Sequence, residues 1–163
     1  GARAGRLDDG SDTRAATVRT LQRGAVSLAA EMFGGAQRCL DMTLEYIKDR
    51  HQFGRAVGSF QAIKHRCADL ALAVDTAREA VRLAAEVIDE GQEAHVLAVA
   101  AAAKISATDA YLQATTETIQ LHGGIGFTWE HDAHFFYKRA LTCARMLGTA
   151  LDHRVRLAEA LGV

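Results

Sequence analysis

Two long stretches of the chain repeat an apolar residue at alternating steps of four and three. The first, near Val18 to Lys48, carries Leu21, Ala25, Leu28, Met32, Gly35, Cys39, Met42 and Tyr46. The second carries Phe60, Ile63, Cys67, Leu70, Val74, Ala77, Val81, Ala84 and Ile88. This period draws one apolar seam along each of two helices and turns it toward a partner. A third segment, Glu93 to Leu121, is alanine-rich around AVAAAAK. Helix propensity is high there, and the small side chains let a neighbouring backbone come close, so it is expected to be the innermost helix. A fourth, near Asp132 to Leu161, puts Leu147, Leu151, Val155 and Ala158 on one face.

The chain contains no proline, which leaves glycine as its punctuation. The clusters that interrupt the pattern fall at Gly54 to Gly58, at Gly91 and at Gly123 to Gly126. The sequence therefore predicts helices over 18–48, 59–90, 93–121 and 132–161. Short connections make successive helices antiparallel, so the expected fold is all-α, an up-down-up-down four-helix bundle. Residues 1–16 read as a polar lead-in, flexible or the remnant of a preceding domain, and 17–163 as the bundle. The chain opens on Gly1 without an initiator methionine, which suggests a processed product or a piece of a longer chain.

At 163 residues the chain suits one domain with one core. A formal net charge of -1 gives no electrostatic reason to expect nucleic acid or an anionic membrane. No apolar run approaches the roughly 20 residues needed to span a bilayer, and the start has no signal-peptide pattern. The expected location is cytoplasmic. Cys39, Cys67 and Cys143 are odd in number and set in apolar helical surroundings, which fits buried free thiols in a reducing compartment.

Chemistry has to be sought at the breaks. In DRHQFGRAVGSFQ, Arg50 follows a helix end, Phe53 and Gly54 make a turn, and Gln61 opens the next helix. Residue by residue this reads as a C-terminal cation, a glycine stop and an apolar anchor. Taken together, a planar guanidinium, a flat ring and the neutral donors Gln52 and Gln61 also suit a nucleotide-like cofactor. In QLHGGIGFTWEHDAH, Gln120 ends the third helix, and Gly123, Gly124 and Gly126 permit positive φ and close approach of backbone to a ligand. A glycine C-cap followed by a long loop explains the same residues. His131 and His134 have a spacing capable of metal ligation, but no second Glu-x-x-His segment accompanies them, so no metal is expected. His122, His131 and His134 read instead as loop and interface polar groups, and Trp129 as an interface or core anchor.

The ordered set R-x-Q-F-G, F-Q, A-D-L, A-x-x-x-K-x-x-A-T and I-Q-L-H-G-G-I-G-F-T-W-E resembles the C-terminal helical domain of the acyl-CoA dehydrogenases, from about Thr17 to the end. The resemblance implies FAD-dependent α,β-dehydrogenation of an acyl-CoA thioester, with electrons passed to an electron-transferring flavoprotein. It implies a homo- or hetero-oligomer, a dimer or tetramer, with flavin lying across a subunit interface. It assigns cofactor contacts to Arg50, Gln52, Phe53, Gln61, Gln120, Gly123, Gly124 and Thr149.

It also exposes a departure. The catalytic Glu that most members place before a Gly-Thr pair is Leu147 here, in RMLGTALDHR. The alternative position in the first helix, by register from AQR at 36–38, is Gly24. Glu31 lies seven residues on, roughly 10 Å along the axis, too far for direct substitution. The chain thus uses another base or contributes a flavin-supporting half to a mixed assembly; a catalytically silent structural subunit is the alternative. The loop is also similar to actinobacterial members that pair unlike subunits and accept bulky thioesters, steroid side chains included.

Overall fold

The computed structural model describes residues 12–163. It is a helical bundle of α1 (Thr13–Asp49), α2 (Gln61–Asp89), α3 (Glu93–His122), α4 (Ala133–Arg145) and α5 (Ala150–Leu161). The lead-in expected over 1–16 lies mostly outside the described residues, and residues 13–16 already belong to α1. The earlier start has a local cause. Asp12 Oδ1 accepts from the amides of Arg14 and Ala15 at 3.1 and 3.2 Å, satisfying donors that a helix start otherwise leaves free.

Cross-helix contacts fix the directions. Thr43 and Thr118 hydroxyls lie 3.0 Å apart near one end of α1 and α3, and Arg23 pairs with Glu93 at the other, so these helices run parallel. Ile47, Cys67 and Leu121 cluster together, which places the start of α2 beside the ends of α1 and α3. Lys104 meets the Cys143 carbonyl while His122 lies against His131, so α4 descends along α3. The up-down-up-down order follows.

The alanine-rich helix is the innermost one: α3 packs on α1, α2, α4 and α5, and buries residues on most of its circumference. Its buried hydroxyls are satisfied inside the helix, with Thr108, Thr115 and Thr118 donating to carbonyls one turn back. The expected seams of α1 and α2 form the core from Ala25 to Cys39 and from Cys67 to Ala84. All three cysteines are free and buried, and burial pushes the Cys39 thiol up to about 12.

Gly35 is part of the seam because the Tyr111 ring crosses it. A Cβ at Gly35 would stand 2.4 Å from Tyr111 Cζ, whereas one at Gly34 would meet nothing within 4 Å. Gly35→Ala is expected to destabilise the fold by about 1–3 kcal/mol through overpacking. Gly34→Ala, next door, should stabilise it by up to about 1 kcal/mol through helix propensity. Urea melts of the two variants check the pair.

Two expectations need correction. The fourth helix is not continuous over 132–161: it breaks at residues 146–149, where Leu147 and Gly148 take φ of 59° and 108°. Thr149 then restarts it as an N-cap with a reciprocal capping box to Asp152. The break changes the helix face turned inward. Leu147, Leu151 and Val155 are exposed, and His153 is the buried residue of α5. The connection after α1 also contains a minimal antiparallel hairpin, β1 (His51–Gln52) and β2 (Arg55–Ala56), closed by Phe53 and Gly54 at positive φ. Positive φ at both central residues matches the twist of a two-residue hairpin. Among the described residues no helix is long and apolar enough to cross a membrane.

Candidate functional site

The expected cofactor residues separate into two groups. Arg50, Gln52, Phe53 and Gln61 gather where α1 ends and α2 begins, beside Gln120, Gly123 and Gly124 at the end of α3. Thr149 lies in the α4–α5 break, next to Leu147, whose side chain reaches Gly24. Gly24 and Arg50 are 26 residues apart on α1, about 39 Å at 1.5 Å per residue. One compact site on one chain cannot contain both groups.

At the first end, Arg50, Gln52, Gly123 and Gly124 border a cleft of about 480 Å³ whose other walls include Val57, Leu121 and Ile125. Arg50 is the C-cap of α1, its amide donating to the Tyr46 carbonyl, and the residue lines the rim of the cleft. A Cβ added to Gly123 or Gly124 meets nothing within 4 Å. Their backbone therefore faces open space, ready for a group that comes from outside the chain. Phe53, 94% exposed and in a left-handed conformation, stands out from the hairpin tip. An aromatic residue with φ of 53° is a backbone outlier, a feature concentrated at binding sites. Gln61 shares a hydrogen bond with His65 at 3.2 Å, and Gln120 is exposed on the last turn of α3. A guanidinium fork, a carboxamide, bare backbone and an apolar wall fit the phosphates and a flat ring of a dinucleotide.

The histidines of the loop serve its own fold. His134 Nδ1–H donates to the His131 carbonyl at 2.8 Å, and His131 Nδ1 accepts from the Ala133 amide at 3.1 Å. Among the described residues no three His, Cys, Asp or Glu side chains converge on a metal position. Trp129 is 79% exposed with Lys138 over its ring, so it is not a core anchor.

At the second end, the positions carrying Leu147 and Gly24 converge. A Cβ at Gly24 would lie 3.3 Å from Leu147 Cδ1, so side chains from α1 and from the break compete for one volume. That volume is filled by a hydrocarbon. His153 Nε2–H donates to the Leu147 carbonyl at 3.1 Å and thereby holds the strained residue. Glu31, further along the same face of α1, forms a two-point ion pair with Arg139 at 2.6 and 2.9 Å. The Arg139 guanidinium holds the Glu31 carboxyl below its ordinary value, which makes it a poor proton acceptor.

Lys104 is the residue that sequence reasoning undervalued. It is fully buried, and burial pushes its pKa down. Its amine donates to the Cys143 carbonyl at 3.0 Å and to Thr108 Oγ1 at 3.2 Å. The Cys143 carbonyl is among the last four of α4, which have no partner within the helix. Lys104 thus caps α4 just before the break. Lys104→Met keeps the apolar stem and strands that carbonyl, with an expected loss of about 1–3 kcal/mol in chemical denaturation.

The chain is a long-helix bundle with a donor-lined cleft at one end and a strained break at the other. The chain belongs to the acyl-CoA dehydrogenase family: the model of the acyl-CoA dehydrogenase C-terminal domain matches residues 14–162. Over 123 residues it is 48% identical to acyl-CoA dehydrogenase IpdE2 of Mycobacterium tuberculosis, covering 76% of this chain and 36% of that protein. It superposes on butyryl-CoA dehydrogenase from Megasphaera elsdenii with a TM-score of 0.88 at 31% identity, over 96% of this chain and 40% of the other. The ChsE4-ChsE5 complex from Mycobacterium tuberculosis gives a TM-score of 0.84 at 30% identity, over 89% and 39%. The chain therefore spans well under half the length of these relatives.

Proposed function

We propose that this chain is the FAD-contacting and oligomerisation domain of an enzyme that dehydrogenates an acyl-CoA thioester between Cα and Cβ. The observation that carries the proposal is the cleft joining Arg50 and Gln52 to Gly123 and Gly124 across two chain segments distant in sequence. Bound FAD would supply the hydride acceptor. Arg50 and Gln52 would hold its phosphates, Phe53 would offer a flat contact, and Gly123 and Gly124 would present backbone at close range. Gln61 and Gln120 would donate from the rim. Thr149, about 39 Å away along α1, would touch a different flavin, so each bundle would serve two cofactors from opposite ends. This division supports a dimer or tetramer with flavin across subunit contacts. Exposed Leu151 and Val155 give α5 an apolar face for such a contact.

The α-proton needs a carboxylate that neither Leu147 nor Gly24 supplies, and Glu31 is engaged by Arg139. A base from an unlike partner would complete the reaction, and an electron-transferring flavoprotein would reoxidise the flavin. A bulky thioester, fatty acyl or steroid side chain, is the proposed substrate class. The alternative, a catalytically silent structural subunit, rests on the missing carboxylate at Leu147 and Gly24, while the named relatives are dehydrogenases.

The test is flavin content. The full-length assembly should retain stoichiometric FAD through gel filtration, and the isolated 163-residue chain, supplying only rim contacts, should retain little. A full-length assembly that never holds flavin contradicts the proposal.

A further inference from the structure

His122 closes α3 directly beneath the glycine turn and is only 4% exposed. Its ring lies between two others. Tyr46 stacks on one side with centroids 4.3 Å apart, and His131 stands 4.3 Å away. The Thr118 carbonyl can only accept, so Nδ1–H of His122 is the donor in their 2.7 Å bond. The Tyr46 hydroxyl in turn donates to the His122 carbonyl at 3.2 Å. Side chain and main chain of the residue preceding Gly123 are thus tied to both α1 and α3. The turn rests on this residue: a Cβ at Gly126 would stand 2.6 Å from the Ile119 carbonyl oxygen and 3.1 Å from His122 Cβ.

We propose that His122 is the positioning residue for the glycine turn's hold on its phosphate-bearing cofactor, and that it performs this role only while its ring is uncharged. The proposal rests on the cofactor reading above and adds to it a named pin and a condition. With Nδ1 protonated, the neutral ring bears a lone pair on Nε2. A second proton would place a full charge in a buried stack, beside the His131 ring.

The charged and titratable groups bordering this place are Glu45, Tyr46 and Asp49 of α1, Arg50 at its end, and His131 of the loop. Burial dominates and lowers the His122 pKa, the Thr118 bond opposes, and His131 lowers it further. The stabilisation is therefore complete above the ordinary value of 6.5 and is lost as pH falls through the lower folded value.

The experiment measures FAD release from the full-length, flavin-loaded assembly by the rise in flavin fluorescence after dilution, at pH 7.5, 6.5 and 5.5. Wild type should release flavin about tenfold faster at the lowest pH than at the highest, as one coupled proton allows. His122→Phe keeps a ring but loses the Thr118 bond and the proton, so it should release faster at pH 7.5 and show little further change on acidification. His131→Phe leaves His122 in place and removes a neighbouring charge, which should move the wild-type step to higher pH. Acid steps in both variants that match wild type overturn the proposal; if His122→Phe does not fold, the position of the His131→Phe step decides alone. A wild type without flavin at any pH overturns the cofactor reading itself, and the proposal with it.

Discussion

Replacing Leu147 by Glu in the full-length protein is expected to raise flavin reduction by acyl-CoA about 10²- to 10⁴-fold over the unchanged chain, the span a positioned general base contributes. The geometry favours this single change. Leu147 already holds the left-handed conformation at the break, with φ of 59°, and His153 bonds its carbonyl at 3.1 Å. Its side chain occupies the space above Gly24, where a Cβ would be 3.3 Å from Cδ1. A carboxylate of similar length would enter that space without displacing α1. Leu147→Gln is the control, since it is equally polar and cannot take the proton. A Glu variant that keeps its flavin and its melt but gains nothing over Gln would show that the reacting carbon does not lie here.

Replacing Arg50 by Ala should weaken flavin retention roughly 10- to 150-fold, corresponding to about 1.5–3 kcal/mol for a hydrogen bond to a charged group. Arg50 is exposed in this chain, so the effect depends on the assembly covering it when flavin is bound. Removing the guanidinium does not disturb the α1 cap, which is made by the backbone amide. Arg78→Ala, on α2 and paired with Asp75, serves as the control for lost surface charge. Equal flavin content in both variants after dialysis would remove Arg50 from the site.

Most of the bundle was legible because its signal is periodic. The steps of four and three in α1 and α2 coincide with the buried series Ala25 to Cys39 and Cys67 to Ala84. The alanine run of α3 foretold the innermost position. The break at 146–149 was missed because periodicity was followed across it, although Gly148 and the Thr149–Asp152 spacing carry a restart signal. The seam Leu147, Leu151, Val155 failed for the same reason: a break resets the face that a helix turns inward.

The sites were less legible than the helices. No one-dimensional pattern announces that Gly24 and Leu147 meet, since they come from opposite ends of the chain. Nor does spacing reveal that Thr149 is remote from Arg50, or that Glu31 is engaged by Arg139. Lys104 stood inside a motif, yet its role depends on an unpaired carbonyl that only the break creates.

The most direct measurement of the central claim is anaerobic flavin reduction on adding acyl-CoA to three full-length preparations: this protein alone, its complex with a base-carrying dehydrogenase partner, and that complex with the partner's catalytic Glu changed to Gln. The account predicts slow reduction alone, rapid reduction in the complex, and a return to slow reduction with the altered partner. Rapid reduction by this protein alone would contradict it, because neither Leu147 nor Gly24 can accept the proton.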